Sequence, residues 1–135
     1  MRAVVDSNVL VSGLLSEKGP PGQIVVLLFQ GDLQPVVNAN ILAEYREVLS
    51  RAKFDFKSSE REQLLGVIEE FGFPVEPIPW PVQLPDSDDE PFIAAAAAAE
   101  APLITGNLRH FPKRVRRNVE VMSPRDFIEH WRDSA

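Results

Sequence analysis

Short apolar blocks recur along this chain, and between them apolar residues return at three- and four-residue intervals, so strands and helices are predicted to alternate. The first block, Ala3-Val4-Val5, runs straight into Asp6-Ser7-Asn8. A strand apolar on both faces belongs to a parallel sheet covered by helices, and ligands of such sheets bind beyond the carboxyl ends of the strands. Asp6 stands at that address. Pro35-Val36-Val37-Asn38 predicts a second strand, and Val75 to Ile78 a third at the sheet edge, where the ladder donor that Pro77 lacks is not needed. Pro102-Leu103-Ile104-Thr105-Gly106-Asn107 predicts a further buried strand, its small and polar tip beside Asp6, and Val119 to Met122 a last one.

The helical stretches fall between these blocks. Val9-Leu10-Val11 with Leu14-Leu15 fits a short helix on the sheet, and Gly19-Pro20-Pro21-Gly22 breaks the pattern. Gln23 to Gln30 reads as a buried helix closed by Gly31. Ile41, Leu42, Tyr45, Val48 and Leu49 form one apolar face, on a helix that carries Glu44 within two turns of the second strand. Leu64, Leu65, Val67, Ile68 and Phe71 mark another helix, stopped by Gly72 and opened by the capping-box pair Ser59 and Glu62. Ser87 and Glu90 repeat that spacing, Pro91 suits a first turn, and Ala94 to Ala99 are strong helix formers. Ser123 as N-cap and Pro124 at N1 open a terminal helix with Phe127, Ile128 and Trp131 inward. Five prolines between Pro74 and Pro85 describe a stiff extended segment with Trp80 packed on the body, the alternative being a proline-motif ligand. With no internal repeat and no composition break, a single domain over residues 1–135 is expected: an α/β fold, a three-layer α/β/α sandwich around a mostly parallel sheet of four to five strands.

Composition narrows the chemistry. The chain has no Cys and two widely spaced His, so disulfides, thiol nucleophiles and a Cys-ligated zinc are excluded, and a metal is expected to be held by oxygen. No apolar run approaches the ~20 residues that span a bilayer, and no signal core precedes the first strand; a cytoplasmic protein without membrane contact is expected. A net charge of −6 argues against a nucleic-acid partner only if it is spread evenly. Setting aside Asp6, Glu44, Asp88 and Asp89 leaves 16 acids against 14 bases. Arg109, Lys113, Arg114, Arg116 and Arg117 fall within nine residues that hold no acid, so the segment reads either as a track for phosphates or as a solvated charged face.

The groups expected beyond the strand ends are Asp6, Glu44, Asp88 or Asp89, and the Thr105-Asn107 tip. Asp88, Asp89 and Glu90 also crowd a helix N-terminus, where the dipole favours negative charge, so capping competes with ligation as their purpose. Three carboxylates in one pocket repel by ~4 kcal/mol per pair at about 4 Å and an effective dielectric of 20. Protons or a hard divalent ion must offset that, and such an ion activates water and neutralises a phosphoryl group in transfer.

The ordered set resembles the PIN domain: Asp6-Ser7-Asn8 at a strand end, Glu44 on the helix after strand two, Asp89 just before Phe92-Ile93 at the head of an alanine-rich helix, and Thr105-Gly106-Asn107 closing a strand. The run from Leu103 to Asn107 through Arg109-His110-Phe111-Pro112 is similar to the VapC-like toxins of bacterial toxin–antitoxin modules. The resemblance spans essentially the whole chain. It implies an Mg²⁺- or Mn²⁺-dependent ribonuclease in which acids bind metal, water attacks phosphorus in line and a 3′-hydroxyl leaves. Asp6, Glu44 and Asp89 match the core acids, with Asp88 as an alternative ligand; Ser7 and Asn8 match positions that orient the first acid and a water. Thr105 and Asn107 close the tip, and Asn107 stands where many members carry a fourth acid, so weaker metal affinity or a different number of metals is expected. The resemblance further implies an antitoxin partner and a homodimer or dimer of dimers.

Arg109, His110, Lys113 and Arg114 are candidate RNA contacts, although an exposed loop His is the commoner fate for His110. His130, in the last turn of the terminal helix, is assigned no function. Two other readings compete: a PIN-derived RNA- or protein-binding module that cleaves poorly, and a receiver-like phosphotransfer domain, which gathers acids at strand ends but needs a partnering Lys that no strand tip here supplies.

Overall fold

A computed structural model describes residues 1–134. The first strand, β1 (Arg2–Val5), is buried at Ala3, Val4 and Val5 and gives way at Asp6 to helix α1 (Ser7–Leu15). Helix α2 (Pro20–Gln30) follows, then β2 (Gln34–Val37), α3 (Ala39–Leu49), α4 (Ser58–Phe71) and β3 (Phe73–Pro74). After an extended segment and a 3₁₀ turn at Ser87–Asp89 come α5 (Glu90–Ala99), β4 (Leu103–Ile104), a second turn at Leu108–His110, α6 (Lys113–Arg116), β5 (Val121–Met122) and α7 (Pro124–Ser134).

All strand pairs are parallel, in the order β3-β2-β1-β4-β5. The chain steps outward from β1 to β3, crosses back through α5 and continues outward through β4 and β5. Right-handed crossovers running in opposite directions place their helices on opposite faces, which gives the α/β/α sandwich. Helix α5 lies across β1, β2 and β4, and its alanines allow the close approach: Ala94, Ala95 and Ala96 are buried. The order reverses between β1 and β4, so the crevice at their carboxyl ends is the topological switch point. A receiver-type sheet runs 2-1-3-4-5; this one does not, which removes that reading.

Several expected boundaries shift, each for a local reason. Pro20 and Pro21 do not interrupt a helix but open α2, where their missing donors are not needed. Gly31 closes α2 in the left-handed conformation at φ 80°. Strand β3 lies at Phe73–Pro74 rather than at Val75–Ile78, because its partner β2 ends at Val37; the ladder's last bond is Val75 N–H to the Val37 carbonyl, 3.0 Å. The Ser59–Glu62 capping box does not form: α4 starts at Ser58, and Glu62 turns to Arg46 at 3.2 Å. The Ser87–Glu90 box is also absent, since Glu90 Oε1 accepts from the Trp80 amide at 2.9 Å. Trp80 itself donates through Nε1 to the Val115 carbonyl at 2.9 Å, which ties the proline-rich segment to the body. At α7 the cap forms as read, with Ser123 Oγ accepting from the Asp126 amide at 3.1 Å.

Candidate metal centre

Asp6 leaves β1 at the sheet's switch point and is only 5% exposed. Its amide donates to the Ile104 carbonyl at 2.9 Å, so the β1–β4 ladder fixes its backbone. On the side chain, Oδ2 accepts from Thr105 Oγ1 at 2.8 Å and from Asn8 Nδ2 at 3.4 Å. Asn8 also reaches across to β4, its Oδ1 accepting from the Gly106 amide at 3.0 Å. Thr105 is fully buried, and its hydroxyl accepts from the Asn107 amide at 3.1 Å while donating to Asp6. The two strand tips are therefore laced together by side chains as well as by the ladder.

Helix α3 delivers Glu44. Asn38 caps its first turn, with Oδ1 accepting from the Ile41 amide at 2.9 Å. Tyr45, fully buried, donates to the Val5 carbonyl at 2.5 Å and so clamps the helix to the end of β1. That clamp turns the neighbouring Glu44 toward the cleft, where Ser7 Oγ donates to its Oε2 at 3.4 Å. Asp89 arrives from the 3₁₀ turn ahead of α5; it occupies the N-cap position but makes no capping bond. Its Oδ2 instead meets His110 Nδ1 at 2.8 Å, so capping does not account for this acid.

Asp6, Glu44 and Asp89 line one cleft of about 370 Å³ with Ser7, Asn8, Asp88 and His110. A larger cleft of about 500 Å³ lies at the opposite, amino-terminal end of β4 and β5 and gathers no comparable cluster of acids. Asp88 is exposed on the cleft wall, and its amide donates to Asp86 Oδ1 at 3.0 Å. Arg109, Lys113 and Arg114 are exposed and follow in the chain, but none of them lines the cleft. Arg51 does line it, paired with Glu47 at 2.8 Å.

Two participants differ from the sequence reading, which offered His110 only as an RNA contact or an exposed loop residue and did not single out Asp86. His110 is not a free loop residue: besides Asp89, its Nε2 lies 2.8 Å from Asn107 Nδ2. The signal was the three-residue spacing from Asn107, which in a 3₁₀ turn places side chains on one side. Asp86 is the other, readable only as the start of an Asx turn in Asp86-Ser87-Asp88. Among the described residues, the ligand atoms that come within 4.8 Å of one another belong to Asp86, Asp89 and His110.

The electrostatics favour a cation. Burial pushes the Asp6 carboxyl above its usual range, although the Thr105 hydroxyl pulls it back. Burial, then repulsion by Glu47, raises Glu44. Asp89 is pushed up to about 6 by burial and by the charge of Asp6, with His110 opposing. Carboxylates that resist ionisation together become stable anions beside an opposite charge, and oxygen donors with an imidazole suit a divalent ion. The residues present fit a metal.

The sequence model of the PIN domain matches residues 2–109. The chain belongs to the PIN domain family. PIN domains are generally metal-dependent nucleases, and this one brings together a group of side chains able to hold a metal, Asp86, Asp89 and His110. This PIN domain is 27% identical over 142 positions to an uncharacterized protein of Methanocaldococcus jannaschii, with 97% of this chain and 92% of the relative covered. No solved structure matches it. Among the described residues, no helix is long and apolar enough to cross a membrane.

Proposed function

We propose that this PIN domain is an endoribonuclease that uses Mg²⁺ or Mn²⁺ to hydrolyse RNA phosphodiester bonds. The observation that carries the reading is the buried Asp6 carboxylate, fixed by Thr105 at 2.8 Å at the switch point, in one cleft with Glu44 and Asp89. Asp6, Glu44 and Asp89 would hold the ion, with Asp88 on the rim as a further acid. The ion, when bound, supplies an activated water and neutralises charge on the phosphate. Asp6 cannot rotate away, because Thr105 and Asn8 hold the same oxygen. Ser7 steadies Glu44, and Asn107 and Thr105 set the tip of β4. Arg109, Lys113 and Arg114, exposed beyond that tip, supply positive charge for the RNA backbone.

By resemblance to VapC-like toxins, the same reading takes a protein antitoxin as the restraining partner, a homodimer as the assembly and the cytoplasm as the place of action. Restored growth on co-expression with a neighbouring small reading frame is the outcome expected of a toxin.

Purified protein incubated with a pool of single-stranded RNA in Mg²⁺, in Mn²⁺ and in EDTA tests the nuclease reading. Cleavage is expected in either metal, absent in EDTA and reduced at least 100-fold in Asp6→Asn. Folded wild type that leaves RNA intact in both metals overturns it in favour of a binding module.

A further inference from the structure

His110 lies one residue beyond the stretch matched by the PIN domain model, yet it lines the acid cleft. Both ring nitrogens are spoken for: Nδ1 faces Asp89 Oδ2 at 2.8 Å, and Nε2 faces the Asn107 amide at 2.8 Å. We propose that His110, through Nδ1, completes a mixed nitrogen–oxygen cation site with Asp86 and Asp89, and that Asn107 is the residue that orients its imidazole. The inference rests on the metal-dependent reading and adds His110 and Asp86, on the Asp89 side of the cleft, to the ligands of that centre.

Three features lead there. Asp86, Asp89 and His110 each offer a ligand atom within 4.8 Å of the others. Nδ1 and Asp89 Oδ2, hydrogen-bonded at 2.8 Å, already stand near the ~3 Å that separates adjacent ligands of an octahedral ion with ~2.1 Å bonds, so a cation can replace the shared proton with little movement. Asn107 then acquires a purpose. A metal-bound imidazole donates its other N–H to a carbonyl or carboxylate, which fixes tautomer and ring plane. A neutral imidazole keeps one proton. With the cation on Nδ1 that proton sits on Nε2, and half a turn of the Asn107 amide presents Oδ1 to accept it at the same separation. An Asp at this position would add charge but compete for the ion; the amide serves the imidazole without competing.

The consequence is a change of metal preference. Carboxylates and waters suit Mg²⁺ and Mn²⁺, whereas imidazole favours the later ions of the first transition row. The site should therefore discriminate against Mg²⁺ more strongly than oxygen ligands alone would.

Electron spin echo modulation of bound Mn²⁺ reads the ligand type without reference to activity. Full-length wild type is expected to show imidazole ¹⁴N modulation, unchanged in His130→Ala, the control for the other His. The modulation should vanish in His110→Ala and in His110→Gln. Calorimetry should show the preference for Co²⁺ over Mg²⁺ falling at least 10-fold in both, and circular dichroism reports whether they fold. Asn107→Ala should keep the modulation but weaken Mn²⁺ binding by about 10-fold or more. Mn²⁺ bound to wild type without nitrogen modulation overturns the His110 assignment and leaves an oxygen-only centre standing. Folded wild type that binds no Mn²⁺ overturns both.

Discussion

Asp6 pairs a carboxylate with near-complete burial, and the Thr105 hydroxyl 2.8 Å away makes that tolerable. Thr105→Val keeps the shape and removes the donor. A hydrogen bond to a charged group contributes about 1.5–3 kcal/mol, so urea unfolding at neutral pH should show a loss of that order; an unchanged midpoint would mean that the bond contributes nothing. Asp89 gives a pH signature. Its carboxyl is raised from 3.8 to about 6, so between those values the folded protein holds more protons than the unfolded chain. Stability from this group is therefore present at low pH and falls as pH rises through about 6. Melting temperature of metal-free protein should decline over that window, and excess divalent ion should flatten the slope. Asp6, Ser7, Asn8 and Thr105 could be placed from the sequence, because a strand's end fixes where its next side chains go. The His110–Asp89 contact could not, since it depends on two 3₁₀ turns 21 residues apart meeting in space.

Helix starts show the same division. Ser123-Pro124 and Gly31 act through the backbone of their own turn and were legible. Ser59 and Ser87 were not, because Glu62 and Glu90 found tertiary partners in Arg46 and the Trp80 amide. The cap that matters most for the cleft is Asn38, which starts the helix bearing Glu44. Asn38→Ala should lower stability by about 1 kcal/mol and reduce RNA cleavage, as Glu44 loses its fixed position; full activity at reduced stability would detach the cap from the site. Close approach governs the α1–α2 pair. A Cβ at Gly13 would lie 2.5 Å from Val25 Cγ2 and 2.7 Å from the Pro21 carbonyl oxygen, and the backbone atom cannot swing aside. Gly13→Ala should cost about 1–3 kcal/mol of stability, read as a lower urea midpoint.

Across the whole molecule, the net charge of −6 conceals an uneven distribution. Acids converge on the cleft, while Arg109, Lys113, Arg114 and Arg117 are exposed along one segment that follows the β4 tip. Arg116 serves the fold instead, donating to the Phe111 carbonyl at 2.6 Å. If the exposed bases carry RNA, affinity falls with salt by a log–log slope of about −0.7 for each phosphate contacted on a single strand. Lys113→Glu with Arg114→Glu should weaken binding and flatten that slope while leaving Mn²⁺ affinity unchanged; an unaltered slope would return the segment to a solvated face. A mostly parallel sheet, with the Thr105 tip beside Asp6, followed from the apolar strands and their polar ends, but the full order 3-2-1-4-5 did not, since no local pattern encodes the remaining neighbours.

The metal centre is tested most directly by anomalous diffraction from a crystal soaked in Mn²⁺. One strong peak in the cleft, against Asp89 and between Asp6 and His110, is predicted, absent from an Asp6→Asn, Asp89→Asn crystal treated in the same way. A peak elsewhere, or an empty cleft at saturating Mn²⁺, would contradict the assignment of these acids to a metal.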